Sequence, residues 1–156
     1  MSGTAEVARQ RQHLDATFER LAGVTADVEV LSDFARYLCV LVAGYLEQAV
    51  VEVLTEYART HADRRIQQHV EQRLRRLTNL KAQRLIEVLG SFDPEWRREL
   101  EEFLIDEYKD ALNGIVDLRN RVAHGRYAGV TLIRVQDYYS RVKKVVERIS
   151  QLCLRC

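Results

Sequence analysis

The stretch LCVLVAGYLEQAVVEVLTEYA, residues 38–58, decides the class of fold. Its apolar residues recur at every third or fourth position, which is the spacing of one face of an α-helix. Extended towards the N-terminus, this face carries Leu31, Phe34, Leu38, Leu41, Tyr45, Ala49, Val53 and Tyr57. A second apolar face consists of Val40, Ala43, Gly44, Val51, Leu54 and Ala58. A helix that is apolar on two sides is packed on two sides, so we predict that one face meets the core and the other a partner subunit.

Glu47 is the only charged residue on the second apolar face. Burial of an unpaired carboxylate is costly, so we expect a cationic side chain close to it. Because glutamate is seldom fully buried, the alternative is that Glu47 lies at a solvated gap between packed surfaces.

The remainder of the chain divides into further helices. With one Pro and seven Gly in 156 residues, and no alternating strand pattern, the composition favours helix almost throughout. The predicted segments are a helix at about 5–22, the long helix with Thr25 or Asp27 as its cap, a basic helix at about 62–77, and a shorter one, capped by Asn79, that ends at Gly90.

The last two predicted helices start at strong signals. In FDPEW, residues 92–96, Asp93 is a cap and Pro94 takes the first helical position, and this helix is expected to reach His124. Thr131 can cap a final helix whose inner face is Val135, Tyr138, Val142, Val145, Ile149 and Leu152. The sequence therefore predicts an all-α, up-and-down bundle of four principal helices plus shorter ones, in a single domain over residues 1–156.

Composition bounds the setting of the protein. It is 47% apolar and 30% charged, as in globular proteins. We find no apolar run near the roughly 18–20 residues that span a bilayer, and residues 1–15 lack the apolar core of a signal peptide. Three cysteines fit a reducing compartment, with Cys39 in the core, and the C-x-x-C pair Cys153 and Cys156 lacks the second pair that a zinc site needs. We expect a cytoplasmic protein that does not enter a membrane.

Positive charge is concentrated in two places although the net charge is only +1. Residues 59–84 hold eight Lys or Arg against one Asp and one Glu, and the last helix carries Arg134, Arg141, Lys144 and Arg148, mostly on one face. Such surfaces suit RNA phosphates. The alternative is that both are solvated helix faces.

The densest polar chemistry is in DLRNRVAHGRY, residues 117–127. Asn120 and His124 are four residues apart and share a helix face. Arg119 lies about 140° from His124 on an ideal helix, so the two converge only if the helix unwinds there, which Gly125 favours. The arginine offers a planar cation to phosphate oxygens, and the histidine can move a proton near neutral pH.

An ordinary polar helix end is the alternative explanation of this segment, because cationic last turns are common. Arg121 is expected to pair with Asp117, four residues earlier, and to be structural. Because Arg119 and His124 both lie near a helix end, replacing either with alanine is expected to cost no more than about 1 kcal/mol of stability.

The segment RNRVAHG, residues 119–125, resembles the R-N-x-x-A-H form of the signature of HEPN domains, in which four to six residues separate an Arg from a His. The stretches at 38–58, 79–96 and 135–149 are similar to the branch known as RiboL-PSP-HEPN, so the resemblance covers about residues 30–150. It implies a helical bundle that dimerises and brings two copies of the motif into one cleft.

The resemblance also implies roles for individual residues. Arg119 and His124 match the signature pair, and Asn120 matches the polar residue after the Arg. Glu47 stands in GYLE, where family members often keep an acidic or polar residue facing the cleft.

Many family members are metal-independent endoribonucleases, so we expect cleavage of RNA by 2′-OH attack with no cofactor, in a toxin-like or phage-defence role. No H-E-x-x-H or P-loop motif is present, which agrees with this expectation. The expected partners are RNA, a second copy of the chain, and a cognate antitoxin or neighbouring defence protein. Two alternatives stay open: a non-catalytic adaptor that binds a protein or nucleotide through the same cleft, and a bundle whose motif only ends a helix.

Overall fold

The computed structural model describes residues 3–126 and 129–155. In these residues every regular element is a helix, in the order α1 (Gly3–Ala22), α2 (Val28–His61), α3 (Arg64–Leu74), α4 (Ala82–Gly90), α5 (Pro94–Phe103), α6 (Asp106–Ala123) and α7 (Leu132–Cys153). This confirms the predicted all-α bundle, with α1, α2, α6 and α7 as principal helices and three shorter ones. Tyr127 and Ala128 of the predicted connection, and Cys156 of the C-x-x-C pair, lie outside the described residues.

The long helix α2 lies at the centre and packs against α1, α3, α6 and α7. Its first apolar face is in the core, where Leu38, Ala49 and Val53 are buried. Its second face is divided, because Ala43, Leu54 and Ala58 are covered by the chain itself while Val40 and Gly44 remain exposed. Val51 is half-buried, so the second face is most open to a partner at its N-terminal end.

By length and composition alone, α2 is apolar enough to cross a membrane. Scattered charges interrupt the apolar runs of α2 without removing the apolar character of the helix, so the sequence contains no uninterrupted run of membrane-spanning length. Within the bundle, 56% of its most apolar window is buried, as in the core helix of a globular protein.

Three of the predicted caps are confirmed. The side chain of Asp27 accepts a hydrogen bond from the backbone of Val30 (3.0 Å), and Asp93 precedes Pro94 at the start of α5. Thr131 caps α7. Each cap satisfies a backbone N–H that the first turn of a helix leaves without a partner.

The predicted cap at Asn79 is wrong. Helix α4 begins after Lys81, whose side chain makes no capping bond. The backbone N–H of Ala82 instead donates to the side chain of Asn113 on α6 (3.0 Å). The start of α4 is thus capped by another helix, an interaction that local sequence does not encode.

The single helix predicted from Pro94 to His124 is two helices. It breaks at Leu104 (φ −85°, ψ 63°), and Asp106 has a left-handed backbone (φ 50°). The break allows α5 to pack on α4 while α6 packs between α2 and α7. Leu104 is buried at the bend. The helical spacing of apolar residues therefore continues through residue 104, and the sequence gives no sign of the bend.

The inner face of α7 carries a buried tyrosine that the sequence prediction omits, Tyr139, whereas the predicted Tyr138 is half-buried against the core. The ring of Tyr139 stacks on Phe18 (4.7 Å between centroids), and its hydroxyl donates to Asp15 of α1 (2.6 Å). Tyr138 is half-buried against Gly114 of α6, where a Cβ would come within 2.6 Å of the tyrosine ring. The glycine thus allows α6 and α7 to approach closely.

Cys39 and Cys153 are buried. Burial raises the pKa of each thiol to about 12, so neither is a thiolate nucleophile near neutral pH. The expected core position of Cys39 is confirmed.

Candidate active site

Helix α6 ends in a tight turn directly after His124, whose own backbone N–H still donates to the carbonyl of Asn120 (3.0 Å) as in the helix. The left-handed Gly125 (φ 68°) donates its N–H to the carbonyl of Val122 (3.1 Å), and Arg126 donates to that of Arg121 (2.9 Å). These two bonds define a Schellman turn, which glycine favours because it has no Cβ to clash. His124 is the cap residue (φ −90°, ψ 9°), as the sequence predicts.

Arg119 lies at the centre of a hydrogen-bond network that joins two helices and a loop. Its Nη1 donates to Oε1 of Glu47 on α2 (3.0 Å), and its Nε donates to Oδ1 of the adjacent Asn120 (3.1 Å). Its Nη2 donates to Oδ1 of Asn79 (3.1 Å) in the segment between α3 and α4. A guanidinium has five N–H groups, so one on each terminal nitrogen remains available to a ligand.

Glu47 has the cationic partner that the sequence predicts, because its carboxylate is paired with Arg119. The carboxylate also accepts a longer hydrogen bond from the hydroxyl of Thr78 (3.5 Å). The side chains of Arg119 and Glu47 are 18% and 22% exposed, so the pair is largely removed from water yet open on one side. Charge-assisted hydrogen bonds in such a position hold the guanidinium in one orientation.

His124 lies outside this network. Its side chain is exposed, and it has no hydrogen-bond or ion-pair partner among residues 3–126 and 129–155. The structure thus brings Arg119, Asn120 and Glu47 into direct contact and leaves the imidazole free at the end of the same helix. His124 is five residues after Arg119, and an imidazole without such partners can exchange a proton with a bound substrate.

Thr78 and Asn79 are site residues that the sequence did not identify. Asn79 has a left-handed backbone (φ 56°), which asparagine tolerates better than most residues. No local pattern relates residue 79 to Arg119, forty positions later. The only available signal was an asparagine in an irregular segment.

A second contact fastens the α3–α4 segment to α6. Lys81 pairs with Asp117 (2.7 Å). The predicted helical pair between Asp117 and Arg121 is therefore wrong, because a partner across the helices takes the carboxylate. The hydrogen bond from Arg119 to Asn79 and the ion pair between Lys81 and Asp117 therefore both hold this segment against α6.

An apolar cleft of about 460 Å³ lies beside the end of α6. Its walls include Tyr37 and Val40 of α2, which are 57% and 43% exposed, and Val122 of α6. The exposed end of the second apolar face thus lies next to the turn that carries His124.

The two basic surfaces predicted from sequence differ in structure. Five arginines of the first are exposed and have no carboxylate within 4.0 Å in the described part of the chain: Arg64, Arg65, Arg73, Arg75 and Arg76. On α7, Arg141 pairs with Asp137 and Glu107, and Arg148 pairs with Glu99. These pairs favour the solvated-face alternative for Arg141 and Arg148, whereas Arg134 and Lys144, like the arginines on and directly after α3, have no carboxylate within 4.0 Å in the described part of the chain.

No group of three or more His, Cys, Asp or Glu side chains in the described ranges is arranged to hold a metal ion.

Comparison with protein families identifies one match. The model of the RiboL-PSP-HEPN family matches residues 6–155, which extends the resemblance beyond residues 30–150 to include α1. Searches of curated proteins and of solved structures gave no match. All four residues predicted for the site lie within the matched range.

Proposed function

From the premise that the chain belongs to the RiboL-PSP-HEPN family, we propose that it is a metal-independent endoribonuclease that acts as a homodimer. HEPN domains in general are nucleases or nucleotide-binding modules, and they commonly dimerise and bind RNA. The observation that carries the proposal is that the end of one helix carries both a guanidinium held by hydrogen bonds, on Arg119, and an exposed imidazole, on His124.

The proposed reaction is an internal transfer at phosphorus. One His124 removes the proton of the 2′-OH, and the resulting oxygen attacks the adjacent phosphorus. The bond to the 5′-oxygen breaks, and a second protonated histidine gives that oxygen its proton. The products are a 2′,3′-cyclic phosphate and a 5′-hydroxyl. The two free N–H groups of Arg119 stabilise the additional negative charge on the phosphorane.

A second copy of the chain supplies the second histidine. Tyr37, Val40 and Gly44 are exposed beside the motif, and no atom of the described chain outside the local backbone of the helix lies within 4 Å of where a Cβ on Gly44 would be. An apolar patch of this kind favours association. A two-fold axis near it places both copies of His124 on one groove, since a two-fold interface uses the same surface twice.

The site and the basic surface of α3 are connected through the segment that contains Asn79. The unpaired arginines end at Arg76, three residues before Asn79 contacts Arg119. RNA phosphates held on α3 would therefore lead towards the reacting phosphate.

We propose a role as a cytoplasmic single-domain toxin or phage-defence nuclease, held inactive by a cognate antitoxin or a neighbouring defence protein.

One observation favours a second candidate, a non-catalytic adaptor that binds a nucleotide or a protein. Arg119 is already paired with the carboxylate of Glu47, which competes with a phosphate for the same cation. An adaptor would use the cleft for binding without proton transfer at His124.

Incubation of the purified protein with mixed RNA in the presence of a chelator distinguishes the nuclease from the adaptor. Wild type and His13→Ala, which removes an exposed histidine of α1, should cleave RNA and leave 2′,3′-cyclic phosphate ends, whereas His124→Ala should not. Cleavage retained in folded His124→Ala would contradict the mechanism. Nucleotide binding without any cleavage by wild type would favour the adaptor.

A further inference from the structure

An open groove of about 590 Å³ lies between α3 and α4 and shares no lining residue with the cleft beside His124. Its floor is apolar, with Val70, Leu74 and Val88, and its rim carries His69, Arg73 and Arg84. A groove with an apolar floor and a few polar groups on its rim is typical of a small-ligand site, and its volume accommodates a nucleotide.

The rim of the groove is cationic. Arg73 has no carboxylate partner in the described part of the chain, and the carboxylate nearest to Arg84 is that of Glu87, at 4.0 Å. Both side chains of that pair are about half exposed, so the contact is weak. Glu87 also lines the groove, which leaves two arginines and one loosely held carboxylate facing a ligand.

One wall of the groove is an aromatic ring with a fixed orientation. Phe92 is half-buried, and its ring stacks on Trp96 with centroids 6.0 Å apart and contacts Tyr57 edge-on at 6.3 Å. A ring held from behind can present its remaining surface to a ligand without losing further freedom. Nucleobases stack on such rings irrespective of their identity.

The groove is adjacent to the proposed active site along the chain. Leu77 lines the groove, and the next two residues, Thr78 and Asn79, contact Glu47 and Arg119. A strand whose scissile phosphate lies at Arg119 would reach the groove with a neighbouring nucleotide.

We propose that the α3–α4 groove binds a nucleotide of single-stranded RNA that flanks the scissile phosphate. The base lies against Phe92, and the backbone phosphate contacts Arg73 and Arg84. The cationic rim favours RNA over a protein partner as the occupant. This inference rests on the proposed function, because it assigns a substrate subsite to the same nuclease.

The test measures binding and cleavage separately. The affinity of a fluorescent ten-nucleotide RNA is determined in the His124→Ala background, which prevents cleavage, for Arg73→Ala/Arg84→Ala and for Phe92→Leu. The control is Arg9→Ala/Arg98→Ala, which removes two exposed arginines that are each paired within one helix. The groove variants should weaken binding roughly five-fold or more beyond the control.

Cleavage in the active background provides the second readout. Both groove variants should raise KM for the long RNA relative to the Arg9→Ala/Arg98→Ala control. Affinity equal to that of the control in the folded arginine variant would overturn the groove proposal even if wild type is a nuclease. If the groove variants bind RNA more weakly but the wild-type protein cleaves no RNA, the groove proposal stands and the proposed nuclease function is refuted.

Discussion

Replacing Arg119 with alanine should destabilise the fold as well as abolish cleavage. The change leaves the carboxylate of Glu47, only 22% exposed, without its cation. It also removes the donors to Asn79 and Asn120. Loss of the partner of one largely buried polar group costs about 1–3 kcal/mol, so we expect a loss of about 2–3 kcal/mol in the free energy of unfolding. This exceeds the loss of about 1 kcal/mol expected from a position at a helix end, because the structure buries the side chain.

The assay is urea denaturation at one fixed protein concentration, since the stability of a dimer depends on concentration. A double-mutant cycle compares Glu47→Gln, Arg119→Ala and the variant with both changes. The double variant should recover roughly 1 kcal/mol or more relative to the sum of the single changes, because it leaves no unpaired charge. A loss below about 0.5 kcal/mol in Arg119→Ala, or strict additivity, would refute the inference that this ion pair supports the fold.

His124→Ala should abolish RNA cleavage and change thermal stability by no more than about 0.5 kcal/mol, because the side chain is exposed; clear unfolding would mean that the residue is structural. Glycine suits the left-handed backbone of residue 79 and alanine does not, so Asn79→Gly should be more stable than Asn79→Ala by about 1 kcal/mol in thermal melts. Both variants should reduce kcat. Equal melting temperatures would count against backbone strain at this position. Arg75→Ala should flatten the salt dependence of RNA binding by up to about 0.7 in log–log slope, whereas the ion-paired Arg141→Ala should change it less. Light scattering at tens of micromolar should show a dimer, and a monomer would remove the second histidine from the mechanism.

Features that depend on neighbouring residues were predictable from the sequence. The caps at Asp27, Asp93 and Thr131 follow from side chains that accept hydrogen bonds from backbone N–H groups two or three residues later. The turn at Gly125 follows from the absence of a Cβ at that position. The need of Glu47 for a cation followed from the cost of burying a lone carboxylate.

Features that depend on distant residues were not predictable. The break at Leu104 has no proline or glycine to mark it, since the bend is imposed by the packing of α5 on α4 and of α6 on α2. Asn79 contacts Arg119 because the segment after α3 packs against α6. The same packing brings Lys81 to Asp117. The resemblance identified Arg119 together with Asn120 and Glu47, which bind it, but not Asn79, which also accepts a hydrogen bond from it.

The central position of α2 also affects how the chain folds during synthesis. Its apolar surface is covered partly by α7, whose end lies about ninety residues after the end of α2. At ribosomal rates of about 5–20 residues per second, that surface stays uncovered for roughly 5–20 s after α2 is made. During this interval the nascent chain displays a helix apolar enough for a bilayer, so chaperones should engage it before α6 and α7 emerge. Slower translation of residues 62–153 should therefore increase aggregation of the newly made protein.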